Sequence, residues 1–70
     1  MFIHEAASAA MALDLCITRT AWDWKNLKIK PTNTTECCIM FSPRFKNKPH
    51  VPRWNPNAND LLANDWVLVP

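Results

Sequence analysis

The chain has 70 residues and not one glycine. A phosphate-cradling loop needs glycine where the backbone closes on the phosphates, so a P-loop is excluded. Left-handed backbone positions, which glycine fills at no steric cost, must be taken by residues with a side chain. Cysteine is scarce as well: Cys16, Cys37 and Cys38 cannot all pair within one chain, and the adjacent Cys37 and Cys38 would close only a strained ring. Reduced thiols are the simpler expectation. The C-x-x-C spacing with paired histidines that holds zinc is missing, and His4 and His50 stand apart, so neither a metal nor another cofactor is expected. Met1 to Glu5 lacks the basic region of a signal peptide, and Leu13-Asp14-Leu15-Cys16 fits a lipoprotein cleavage site badly. The longest apolar run is far too short to span a membrane. A soluble chain in a cytoplasm, with no membrane partner, is the expectation.

What is present is apolar: 49% of the residues are hydrophobic and 20% charged, which favours a folded protein over a disordered tail. The length predicts a single domain over residues 1–70. So short a chain buries a smaller share of its surface than a typical domain, and its four Trp and three Phe must cover too much. Self-association is the usual remedy.

Residues Ile3 to Leu13 hold five alanines with Met11 and Leu13 and no breaker, the strongest helix signal in the chain. Ile3, Ala6, Ala7, Ala10 and Leu13 share one face, small enough to lie close on a sheet. Strands are predicted over about 15–21, 26–30, 36–41, 50–54 and 66–69. The run Glu36 to Phe41 is the most continuously apolar and is expected at the centre of the sheet. Thr32 to Thr35 is a polar turn; its Asn33-Thr34-Thr35 sequon is a motif common by chance and is irrelevant in a cytoplasm. Pro56 precedes Asn57, a good N-cap, with Asp60 three residues on as the acid of a capping box, so Ala58 to Ala63 reads as a short helix. The predicted class is α+β: an N-terminal helix packed on a small antiparallel sheet of four to five strands, with a helical turn before the last.

No acidic residue occurs between Cys37 and Asn59, where Arg44, Lys46, Lys48 and Arg53 supply four positive charges. Such a stretch is either a solvated hairpin or a loop that faces an anion. It leads into Trp54, so charge and an aromatic face arrive together. Catalysis finds little support. Cys38 and His50 can be imagined as nucleophile and base, but Cys38 lies in an apolar run where thiols are inert. The chain is not expected to be an enzyme.

The segment Trp54, Pro56, Asp60, Leu61, Leu62, Ala63, Asp65 and Trp66 carries the pattern W-x-P-x-x-x-D-L-L-A-x-D-W. Together with Glu5-Ala6 and Arg19-Thr20-Ala21-Trp22, it resembles the second family of Thoeris anti-defence proteins, small phage proteins that act as sponges for immune signalling nucleotides. The resemblance covers nearly the whole chain, densely at residues 19–22 and 54–66. It departs from the family at two glycine positions: Leu13-Asp14 replaces a turn glycine, and Asp23-Trp24 replaces an Asn-Gly pair.

The resemblance implies sequestration of a cyclic ADP-ribose-type signal without cleavage, in the host bacterial cytoplasm. It also implies a homotetramer with pockets between protomers. Such a ligand offers a purine face, ribose hydroxyls and phosphates. Trp22 or Trp54 could stack on the base, with Trp24 as a change in specificity. Arg19, Lys25 and Arg53 could meet phosphates, and Asn57, Asp60 or Asp65 could take hydroxyls. Asp60 is equally read as only a helix cap, and Trp66 as core. Cyclic oligonucleotides present the same groups and are the alternative ligand class. Two other classes compete: a nucleic-acid-binding module using the 44–53 loop, for which a net charge of +2 is weak, and a protein-interaction module anchored by exposed tryptophans.

Overall fold

The computed structural model describes residues 1–22, 27–42 and 50–70. Helix α1 (Ile3–Leu13) is followed by strands β1 (Cys16–Arg19), β2 (Lys28–Pro31), β3 (Cys38–Phe41) and β4 (His50–Val51). A short helix α2 (Ala58–Leu62) and strand β5 (Trp66–Val69) complete the order. The strands form one antiparallel sheet in the order β4-β3-β2-β1-β5: the first four make a meander, and β5 returns to the free side of β1. This is the α+β class that the sequence predicts.

Alternation along the strands and the register between them assign the core. Leu68, Ile17, Ile29, Met40 and Val51 face one another in a row across all five strands. Ala6 and Ala10 of α1 close over this row, and with Ile17, Ile29 and Trp66 they form the buried cluster, each no more than 2% exposed. Alanine puts no bulk between helix and sheet, so α1 lies close against β1, β2 and β5. Each isoleucine taken out of water here contributes about 1.5–3 kcal/mol.

Three expectations are corrected. The central strand is β2, and β3 lies one place from the edge. The helix covers β1, β2 and β5, whereas the start of the apolar 36–41 run is spent on a turn in which Cys37 takes a left-handed φ of 59° and is exposed. Leu13 leaves the predicted helix face and is 61% exposed, because α1 ends beside it. The predicted 50–54 strand shortens to two residues. Pro52 has no N–H to offer a ladder, and Arg53 turns the chain with φ 55°.

The end of α1 shows how the chain manages without glycine. Asp14, just past the helix where glycine is favoured, adopts φ 55° and ψ 48°, and its N–H donates to the Ala10 carbonyl. Aspartate is among the few residues with a side chain that enter this region readily. At the helix start, the Glu5 carboxylate accepts the Phe2 N–H at 2.9 Å, satisfying one of the donors that a helix leaves open.

Candidate functional site

The site forms where β1 ends beside β5. Arg19 is the last residue of β1 and lies opposite Trp66 in the ladder. The chain then turns sharply, with the Trp22 N–H donating to the Arg19 carbonyl at 2.9 Å, so that Trp22 comes back over the sheet. Its ring stands edge-on to Trp66, with centroids 5.2 Å apart, and to Trp54 at 6.3 Å. Trp54 meets Trp66 in the same manner at 6.0 Å. These are the edge-to-face arrangements that the ring quadrupoles favour. Trp66 is fully buried, in keeping with its reading as core, and its indole Nε1 donates to the Asp60 carbonyl at 2.9 Å. Trp22 and Trp54 are half-buried and keep part of their surface to solvent.

Beside the rings lies a charged network. The Arg19 guanidinium donates through Nε to Asp65 Oδ1 at 2.8 Å and through Nη1 to Asp60 Oδ1 at 3.3 Å. Asp65 Oδ2 also accepts the Thr20 hydroxyl at 3.2 Å and the Ala21 N–H at 3.3 Å. The hydrogen bond from Arg19 is the largest reason that the Asp65 carboxyl is held below the usual carboxylate range, and the same contact raises Arg19. Asp60 makes two further bonds, both to Asn57: its N–H donates to Asn57 Oδ1 at 2.9 Å, and its Oδ2 accepts the Asn57 N–H at 3.3 Å. The predicted capping box is therefore formed, and Asp60 is at once cap and ion-pair partner.

Trp54 is placed by main chain. Arg53 N–H donates to the Glu36 carbonyl at 2.7 Å and Trp54 N–H to the Cys38 carbonyl at 2.8 Å, so the chain after β4 stays bonded alongside the segment that enters β3.

Of the residues singled out from the sequence, Arg19, Trp22, Trp54, Asn57 and Asp60 are joined by one set of ring contacts and hydrogen bonds. Arg53 is exposed next to Trp54. Trp24 and Lys25 lie outside the described residues, as do Arg44, Lys46 and Lys48 of the basic stretch. Asp65 binds Arg19 more closely than Asp60 does, and its carboxylate engages three side-chain and backbone donors. The sequence reading marks Asp65 by its place in the quoted pattern and as a candidate for ligand hydroxyls, but not as the partner of Arg19.

Chemically, the arrangement offers two aromatic surfaces, an exposed guanidinium at Arg53 and a rim of hydrogen-bonding groups. The Cys38 thiol is pushed up by burial, which keeps it protonated and a poor nucleophile. Among the described residues, no three His, Cys, Asp or Glu side chains are grouped to hold a metal ion, and no helix is long and apolar enough to cross a membrane.

The model of the Tad2-like family, the Thoeris anti-defense 2-like domain, matches residues 1–69. No curated protein and no solved structure matches the chain.

Proposed function

Since the chain belongs to the Thoeris anti-defence 2-like family, which supports an anti-defence role, we propose that it is a phage-encoded sponge. It binds a cyclic ADP-ribose-type immune signal in the host bacterial cytoplasm and holds it without cleaving it. The observation that carries this reading is the pair of half-buried rings, Trp22 and Trp54, seated on buried Trp66 beside the Arg19, Asp60 and Asn57 network. A purine stacks on an indole face, phosphates are met by guanidinium and ammonium groups, and ribose hydroxyls by carboxylates and amides. In this reading Trp22 or Trp54 stacks, Arg53 and Lys25 meet phosphate, and Asn57 and Asp60 take hydroxyls. Arg19, whose side chain keeps 20% exposure, closes the acidic side of the pocket, and Trp24 tunes specificity.

The site is completed by a second copy of the chain in a homo-oligomer, a tetramer by the family resemblance. Leu61 and Leu62 are 51% and 76% exposed, and Met1 and Phe2 are 41% and 45% exposed. Met1 lies against the same segment, since its carbonyl accepts the Trp66 N–H at 3.1 Å. Apolar surface of this kind next to the tryptophans is what assembly would cover. Variants that cannot assemble are then expected to lose binding although every contact residue of one protomer is present. Full affinity in a monomeric variant would refute the shared pocket.

The deciding experiment incubates the purified protein with cyclic ADP-ribose isomers and cyclic oligonucleotides, filters it, denatures it by heat and identifies what is released by mass spectrometry. Intact release of a cyclic ADP-ribose isomer supports the proposal. Release of a cyclic oligonucleotide moves the ligand class, a chemically altered product makes the protein an enzyme, and no capture at all leaves an interaction module.

A further inference from the structure

We propose that Asp65 is the positioning residue of this site: it sets where the Trp22 ring stands by holding the turn that delivers it. The ligand half of this inference rests on the sponge reading above; the structural half stands without it. The turn runs from Arg19 to Trp22 and is closed by the Trp22 N–H on the Arg19 carbonyl. Residue 65 binds each of the three residues that precede the tryptophan. Asp65 Oδ1 takes Arg19 Nε, Oδ2 takes the Thr20 hydroxyl and the Ala21 N–H, and the Asp65 carbonyl takes the Thr20 N–H at 3.1 Å.

The turn has little conformational preference of its own. Thr20 and Ala21 are exposed and neither is glycine, proline, asparagine or aspartate, the residues that fix turns through their own chemistry. Its shape is therefore imposed from across the sheet. The next residue, Trp66, receives the Trp22 ring edge-on, so positions 65 and 66 hold the backbone and the ring of the same tryptophan. Three donors occupy a carboxylate that has about four lone-pair sites, and its side chain is 29% exposed. Asp65 thus has little left for a ligand hydroxyl, and its role is support rather than contact.

Removing the charge at constant shape tests this. An amide in Asp65→Asn keeps an acceptor for only one side of the network and turns an N–H toward the other. The ligand-free readout is the tryptophan exciton circular dichroism of the Trp22 and Trp66 pair, with Trp22→Phe as its zero. The binding readout is titration with each member of a panel of cyclic ADP-ribose isomers as the probe. Asp65→Asn is expected to melt cooperatively yet lose most of the exciton signal and bind about tenfold more weakly or worse, the scale of one misplaced contact. Thr20→Val removes one donor and keeps the carboxylate, and is expected to fall between. Exciton signal at wild-type strength in Asp65→Asn overturns the proposal, as does weakened binding with that signal intact, which would make Asp65 a contact. If Asp65→Asn loses the signal while the wild type does not bind the probe, the cyclic ADP-ribose reading fails and the positioning role stands. Should Asp65→Asn fail to fold, acid titration of the wild type decides. The exciton signal must fade before the global transition, and its persistence until unfolding would refute the role. Asp60 also binds Arg19; acid titration of Thr20→Val isolates the part played by Asp65, because of these two carboxylates only Asp65 contacts Thr20.

Discussion

The two ends of β1 each carry an ion pair, and they are built differently. At the Asp14 end, Lys30 Nζ meets Asp14 Oδ1 at 2.7 Å, shorter than either contact of Arg19, yet the Asp14 side chain is 91% exposed. Beside it lies an open depression of about 280 Å³ lined by residues that include Met11, Lys30, Thr32 and Thr34. At the Arg19 end, one guanidinium joins the end of β1 to α2 and to the start of β5, with side chains 11–29% exposed. Distance alone would rank the first pair higher. Coverage and the number of elements joined reverse that order, because an exposed pair trades water for a partner with little net gain.

The largest effect that would break this contrast is at Trp66. It is fully buried and bonded to the Asp60 carbonyl, so Trp66→Ala is expected to cost about 3–5 kcal/mol, enough to remove the cooperative urea transition of so small a chain. A cooperative transition near the wild-type midpoint would show that the three-ring cluster is not what holds this end together.

Next in size is the cap. Asn57→Ala removes the acceptor of the Asp60 N–H and is expected to cost about 1 kcal/mol by urea denaturation. It should also loosen Asp60 from Arg19, which the exciton signal of Trp22 would report. A stabilisation of similar size is expected from Cys37→Gly, because Cys37 sits at φ 59° where a side chain costs about 1 kcal/mol. A destabilised Cys37→Gly would mean that the Cys37 side chain is needed in its turn.

The smallest effects belong to the exposed pair. Lys30→Met is expected to leave the melting temperature within error at neutral pH. Acid sharpens the comparison. The carboxyls of Asp14 and Asp65 are both held below the ordinary range, first by their hydrogen bonds to Lys30 and Arg19. Each contribution is therefore complete above the unfolded carboxylate pKa and is lost as pH falls through the lowered folded value. Melting temperature followed from neutral to acid should lose more of its slope in Asp65→Asn than in Asp14→Asn. Equal slopes would erase the distinction between the two ends.

The parts of this architecture that were readable from the sequence are the local ones. The capping box joins Asn57 and Asp60, three positions apart, and α1 and β5 follow from runs of alanine and of strand formers. The network around Arg19 was not readable in the same way. Its partners lie 41 and 46 residues away, and they meet it only because β5 pairs with β1 in the register that sets Arg19 opposite Trp66. The central strand was misplaced for a related reason: an apolar run reports how much surface wants covering, not which strands the helix will cover. The absence of glycine predicted that side-chain-bearing residues would take left-handed positions, and Asp14, Cys37 and Arg53 do so. Composition cannot say which residues those will be.

The hydrogen bonds that lead into Trp54 separate the place of a residue from its identity. Glu36 and Cys38 hold positions 53 and 54 through carbonyls and N–H groups alone, and the pattern is indifferent to which side chain follows. Trp66 is the opposite case, since its own ring closes the core. Trp54 combines the two, because main-chain bonds fix its place while its ring packs edge-on against Trp66 at 6.0 Å. Exchange at position 54 costs ring contacts at the surface, whereas exchange at position 66 opens the core.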